Sequence, residues 1–323
     1  MSDSVQPAAL ERPRELTERS QLTFEVIAGD YSRLGNQPAN YTLVKGRREA
    51  LLVDVPFGRA DAHRLIARIL DTGLKLRTIF ITRSRPDHVS SLDLLTDVFP
   101  DAAVVAHSAV AAEIERLIPA NSDRRAAGIS DNAARRRIIP APLCTDHIRL
   151  EGHKLEILGP VQGGHAHATA LWDPRTSTLV AGGLVYNSVF VFLGEHRPEQ
   201  YDAWLDSLDY LESLSPKRVI AGRSKPGLPE GANAIGWTRR YINDFRTFAK
   251  MAKSAAELTD MLRVRNPNAI GFPASDGLFE MSTEVATGEN RAGRMNDKKP
   301  GRPRSSLHGS KEDYHEQQVS PDS

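Results

Sequence analysis

Apolar and polar residues alternate over Leu22-Thr23-Phe24-Glu25-Val26-Ile27, the pattern of a strand buried on one face. A pair of strands follows, Tyr41 to Val44 and Ala50 to Asp54, joined by the turn-forming Lys45-Gly46-Arg47-Arg48. Leu65, Ile66, Ile69 and Leu70 then recur on one helical face, with Gly73 as the stop. Ile79-Phe80-Ile81 reads as a buried strand that ends abruptly in a polar loop, Thr82 to Ser91, before an amphipathic helix carrying Leu92, Leu94, Leu95 and Val98. A short strand at Ala103 to Ala106 and a helix through Glu113 to Ile118 continue the alternation of strands and helices, so the class is α/β. Residues 121 to 142 have no clear period and read as a surface connection. Strands resume at His147 to Leu150, Lys154 to Leu158 and Thr178 to Asn187, followed by a helix with Trp204, Leu205, Leu208 and Leu211. A strand Arg218 to Ala221 runs into Gly222-Arg223, and helical segments cover Trp237 to Leu262.

These patterns divide the chain into a flexible lead-in over 1–20, one domain over 21–283 and a polar, disordered tail over 284–323. The 323 residues, 40% hydrophobic, are enough for a sizeable core. Lys and Arg total 42 against 41 Asp and Glu, so no global field points to nucleic acid or membrane. The single cysteine, Cys144, excludes an internal disulfide, fits a reducing compartment and reads as a packed residue. Residues 1–20 lack the apolar stretch of a signal peptide, and no apolar run approaches the roughly 20 residues that span a bilayer. The expectation is a cytoplasmic protein with a small-molecule partner and no membrane partner; the oligomeric state is left open.

Loops at the carboxyl ends of strands are where α/β proteins place ligands, and the loop Thr82-Arg83-Ser84-Arg85-Pro86-Asp87-His88 holds an Asp-His pair there. It resembles the signature of the metallo-β-lactamase superfamily, where such a strand ends in His-x-His-x-Asp-His. Other elements fit the same family: Asn40 to Val44, Val53-Asp54, Gly164-His165, Gly182-Gly183 and Gly222-Arg223, so the resemblance spans roughly residues 22 to 265. It implies an αβ/βα four-layer sandwich and descent from a hydrolase of an ester, lactone, lactam or thioester, working through one or two zinc ions. Of the seven ligand positions it implies, Asp87, His88 and His165 are kept, while Arg83, Arg85, Gly183 and Arg223 stand at the other four. Val55-Pro56 also replaces the family's Thr-Gly after the second strand.

Arginine has no lone pair to give a metal. At about 4 Å and an effective dielectric near 20, a divalent ion facing one guanidinium is repelled by roughly 8 kcal/mol. The dinuclear mechanism is therefore expected to be lost and no cofactor is expected. The alternative is one zinc on Asp87, His88 and His165, with His167 as a candidate fourth ligand and Asp87 as the residual catalytic carboxylate. Guanidinium groups capture carboxylate or phosphate, so Arg83, Arg85 and Arg223 are expected to converge on a small anionic ligand. The competing expectation is that they fill the old cavity and pair with Asp87 and Asp54. Tyr186-Asn187 and the Trp204 helix read as pocket walls, with Tyr186 touching the ligand. Ser84, beside two arginines, is a weaker nucleophile candidate, since a serine in a turn needs no such role. A third reading rests on Lys298-Lys299-Pro300-Gly301-Arg302-Pro303-Arg304, which resembles an AT-hook and would lie in a narrow minor groove of DNA.

Overall fold

The computed structural model describes residues 21–29, 39–117, 130–270 and 276–289. One mixed sheet has the order β1 (Thr23–Ala28), β2 (Asn40–Lys45), β3 (Glu49–Val53), β4 (Lys75–Ile81), β5 (Ala103–His107), β6 (Ala141–Leu143). Its first three strands are antiparallel, and β3 to β6 run parallel. Helix α1 (Arg59–Asp71) connects β3 to β4, and α2 (Pro86–Val89) with α3 (Leu92–Val98) connects β4 to β5; α4 covers residues 108–117. The second sheet contains β7 (His147–Leu150), β8 (His153–Val161), β9 (Ala168–Asp173), β10 (Thr178–Val180) and, added in parallel after α5 (Pro198–Ser213), β12 (Arg218–Ile220). A two-stranded ribbon, β11 (Tyr186–Asn187) with β13 (Arg223–Ser224), extends from the second sheet's strand ends. Helices α6 (Asn233–Met251), α7 (Ala255–Arg265) and α8 (Asp276–Thr287) follow.

The pleat explains the layers. Alternate residues of a strand face opposite sides, so Val44, Leu51, Val53 and Phe80 meet Leu155, Ile157, Leu171 and Val180 between the two sheets. Their neighbours Leu43, Leu52, Ile79 and Ile81 face outward and pack on Leu65, Ile69, Leu92 and Leu95 of α1 and α3. Trp172, Leu179 and Val219 on the far side of the second sheet pack on Trp204, Leu208 and Tyr241 of α5 and α6. Helix, sheet, sheet, helix is the four-layer sandwich that the resemblance implied.

The structure departs from these expectations at two boundaries and in the placement of Cys144. The surface connection expected up to 142 contains β6, an edge strand in which Pro142 lies beside Ala106; an edge is where a sheet tolerates proline. Helix α8 carries the chain past 283, with Ser282, Thr283 and Val285 buried. Ser282 Oγ accepts from Leu193 N at 3.0 Å, and the Thr283 and Thr259 hydroxyls bond at 3.1 Å, so polar residues here are packed. Cys144, expected inside, is exposed. The lead-in 1–20 and the basic segment 298–304 lie outside the described residues. No helix among the described residues is long and apolar enough to cross a membrane.

Candidate functional site

The site forms where β4, the β8–β9 connection and the ends of β10 and β12 meet. Asp54, just past β3, is buried in the left-handed region at φ 62°, which Asp tolerates better than most residues. Its Oδ1 accepts from Thr82 N at 2.8 Å and its Oδ2 from Thr82 Oγ1 at 2.7 Å, which fixes the start of the loop after β4. The Thr82 carbonyl accepts from Thr169 N and Oγ1, both at 2.9 Å, and so ties β9 to the same point. Pro86 opens α2, where its missing N–H costs nothing. Asn40 Nδ2 donates to the Ala221 carbonyl at 2.8 Å and to Ser224 Oγ at 2.9 Å, drawing the first sheet onto the β12 end.

Inside this clasp sit two buried guanidinium groups. Arg223 Nη2 contacts Asp87 Oδ2, and Arg83 Nη2 approaches the same oxygen at 3.9 Å. Parallel pairing of β11 with β13 puts Tyr186 beside Arg223, whose guanidinium lies 5.8 Å from the ring centroid. Both guanidinium groups lie close enough to act on the Tyr186 phenol. Gly183 completes the arrangement: a Cβ there would fall 2.3 Å from Arg83 Nη1 and 2.5 Å from its Cδ. A Cβ on Gly164 would fall 2.7 Å from the same nitrogen. The side chain of Arg83 thus lies in the space into which a carboxylate at position 183 would project.

Charge and burial compete here. Burial pushes the Asp87 carboxyl up, but Arg223, His88 and Arg83 outweigh it and hold the group well below its ordinary 3.8. Burial also raises the Tyr186 phenol, and again Arg223 and Arg83 outweigh it, so the net shift is downward. Arg223 loses by burial and gains more from Asp87 and Tyr186, for a net rise. Arg83 is lowered by burial and by Arg223, and its Nε lacks a hydrogen-bond partner among the described residues. His88 is fully buried with Nδ1 2.8 Å from Asp54 Oδ2, and its Nε2 has no hydrogen-bond partner among the described residues. Burial and then Arg83 lower its pKa.

A cavity of about 850 Å³ opens on the other side of Gly164, with His165, Glu113, Glu195 and His196 in its wall and Tyr201 and Phe245 among its aromatic lining. Arg85 belongs to this side. Its Nη1 donates to Glu195 at 2.7 Å, and its guanidinium lies 5.7 Å from the Phe192 centroid. His165 Nδ1 is 3.5 Å from Ser84 Oγ, and its Nε2 is 3.7 Å from Glu113 Oε1. Burial, followed by the Arg85 charge, pushes its pKa down to about 4.

Several expectations are corrected by this geometry. Arg83 and Arg223 converge, but Arg85 turns away to Glu195. Asp87 pairs with arginine as expected; Asp54 instead holds Thr82 and His88. Tyr186 and Trp204 are buried under the cavity and are absent from its wall. Trp204 Nε1 donates to the Leu184 carbonyl at 2.9 Å and serves the core. His167 is exposed. Glu113, Glu195 and His196 went unnoticed, because nothing in their local sequence marks them as neighbours of the β4 loop.

A tetrahedral zinc site requires three or four donors around one point. The arrangement does not fit one. The Asp87 carboxylate faces guanidinium groups, His88 is held against Asp54, and His165 is engaged with Ser84 and Glu113. Among the described residues, no three His, Cys, Asp or Glu side chains are placed together to hold a metal ion.

Four layers, with the loops that carry Asp87, His165 and Arg223 meeting at one edge of the two sheets, define a class of fold. The sequence profile of the metallo-beta-lactamase superfamily matches residues 34–223, more than half of the chain, and the chain belongs to that superfamily. Among solved structures, a metallo-beta-lactamase family protein from Thermus thermophilus is 20% identical with a TM-score of 0.58, covering 82% of this chain and 91% of that one. A metallo-beta-lactamase from Pontibacter korlensis is 17% identical with a TM-score of 0.54, covering 70% and 96%. The DIM-1 metallo-beta-lactamase is 19% identical with a TM-score of 0.52, covering 71% and 95%. At such identities these likenesses establish the fold. Comparison with the curated proteins finds no match.

Proposed function

We propose that this protein is a metal-independent member of its superfamily that binds a small anionic molecule in the cavity beside the arginine cluster. The supporting observation is the pair of buried guanidinium groups on Asp87, with Gly183 vacating room for Arg83. Two arginines stand against the one carboxylate of Asp87, while the buried Asp54 carboxylate is taken up by Thr82 and His88. Fixed charge there supplies the electropositive field that a metal supplies elsewhere in the fold. Gly164 separates the cavity from Arg83, and Arg85 stands near its wall beside Glu195. Lys250, Arg246 and Arg197 also line the cavity, against Glu113 and Glu195, so the lining does not cancel the inner charge.

Elemental analysis of the purified protein, combined with a thermal-melt screen of small carboxylates and phosphates, tests the reading. Zinc, iron and manganese well below one equivalent are expected, with EDTA leaving the melting temperature unchanged. At least one anion should raise the melting temperature of the wild type, and Arg83→Ala should lose that rise. Stoichiometric metal, or a screen in which no anion shifts the wild type, overturns it.

A further inference from the structure

We infer that Ser84, His165 and Glu113 form a nucleophile, base and carboxylate relay that performs acyl transfer on esters, with His165 and Glu113 in the wall of the 850 Å³ cavity and Ser84 directly behind His165. It rests on the metal-free reading of the site, because a zinc ion on His165 would occupy the imidazole. The three groups come from separate parts of the chain: the loop after β4, the β8–β9 connection and α4. Their order in space is that of a serine relay, with the hydroxyl on one ring nitrogen and the carboxylate on the other. Glu113 is itself fixed, since Arg116 donates to its two oxygens at 3.0 and 2.6 Å. With the Nε2 proton turned toward Glu113, the Nδ1 lone pair faces the Ser84 hydroxyl. The spacings of 3.5 and 3.7 Å are long for hydrogen bonds, as is common before substrate binds. Ser84 is 6% exposed, beneath His165, and the imidazole forms part of the cavity wall.

The reaction balances without a cofactor. The Ser84 oxygen bonds to the ester carbonyl carbon as its proton passes to His165 Nδ1, and the carbonyl π electrons move to oxygen. The Arg85 guanidinium, the positive charge that acts most strongly on His165, is the nearby charge for that oxyanion. Collapse re-forms the carbonyl and breaks the bond to the alcohol, which leaves with the proton from His165. Water then attacks acyl-Ser84 by the same route and releases the acid. Apolar lining from Leu193, Phe245 and Val285 suits an ester with an apolar portion, and the positive charge near Ser84 suits an acyl part that carries a negative group.

Full-length protein kept in EDTA, treated with a fluorophosphonate probe and assayed on p-nitrophenyl butyrate, tests the relay. The expected result is one equivalent of label on Ser84, located by fragmentation of the tryptic peptide that begins at that residue, and an initial burst of nitrophenol. Ser84→Ala should lower labelling and turnover about a hundredfold or more. Ser84→Cys, close in volume and so a check on folding, should in a Cys144→Ser background gain one iodoacetamide-reactive residue, at position 84. Glu113, as a positioning residue, should show itself in Glu113→Gln as slower labelling with a displaced pH profile. Label on another residue, no label, or labelling unchanged in Ser84→Ala overturns the relay. Metal content of the same preparation separates the two readings: an unlabelled, zinc-free protein removes the relay alone, while stoichiometric zinc removes the metal-free reading beneath it.

Discussion

Two groups of charges, each anchored on the loop after β4 and completed by a residue far along the chain, obey different physics. Arg83, Asp87 and Arg223 are packed into the interior, with side-chain exposures of 2%, 17% and 3%. Arg85 and Glu195 form an equally well-shaped pair at 2.7 Å, but at exposures of 19% and 46%. Charges taken out of water have paid desolvation already, so each depends on the others being present. Charges at the rim can fall back on solvent, and their pairing is worth little. Positions 83 and 85 are both histidine in the family signature and both arginine here. What separates their roles is the room that Gly183 and Gly164 leave for one of them.

The sharpest way to break this contrast is at Asp87. Asp87→Ala leaves two buried guanidinium groups facing each other, and a loss of about 3–5 kcal/mol is expected in urea unfolding. Replacing the trio together, as Arg83→Met with Asp87→Leu and Arg223→Met, should recover most of that loss, since an apolar core of similar volume avoids the burial of charge. A small effect of Asp87→Ala would mean that water reaches the cluster.

Acid titration of the wild type sharpens the same contrast. Asp87 has a folded pKa held well below its unfolded value, so its stabilisation is complete above about pH 4–5 and fades as pH falls below 3.8. His88, His165 and His196 also have lowered folded values, His165 at about 4. The unfolded chain then binds protons that the folded chain refuses, so stability should fall as pH drops from 6.5 toward 4. Urea midpoints measured from pH 8 to pH 3 should therefore show two descending limbs. A flat profile between pH 7 and pH 4 would remove the buried, neutral histidines from the account.

Next in size is the fit between Gly183 and Arg83. A Cβ at 183 forces the Arg83 side chain to move within a packed interior, which costs about 1–3 kcal/mol. Gly183→Ala should be destabilising alone and nearly neutral in an Arg83→Ala background. A double-mutant cycle then returns a coupling energy of about 1 kcal/mol or more. Zero coupling would show that arginine and glycine are independent changes and not one packing solution.

This coupling was invisible in the sequence, though both residues were in plain view. The order of strands and helices was legible because period two and period 3.6 are local signals, and the β4 loop was legible because Thr82 to His88 keeps its neighbours even where the ligands have changed. The destination of a long side chain is not local. Arg83 and Arg85 look alike on paper, and only Gly183, Gly164, Glu195 and Phe192, each far along the chain, send one inward and the other out. The same limit hid the last turn of α8, where the residues from 284 read as tail although Val285 is buried beside Ser282 and Thr283, which bond to Leu193 N and Thr259. Tyr186 reads as a pocket wall in sequence, but pairing of β11 with β13 sets it beside Arg223 and buries its ring.

The smallest expected effect is at the rim. Glu195→Gln removes the charge opposite Arg85 and keeps the shape, and the guanidinium can still lie over Phe192 and reach water. The pair is partly exposed and screened by salt, so the cost to unfolding should be about 0.5 kcal/mol or less. Glu195 nonetheless lines the cavity, and removing its charge makes the wall more positive. Any anion found in the melt screen should therefore bind Glu195→Gln more tightly than wild type, by a few-fold at low salt and less as ionic strength rises. A measurable loss of stability together with weaker anion binding would place Arg85 and Glu195 inside the buried network, and the distinction between positions 83 and 85 would fail.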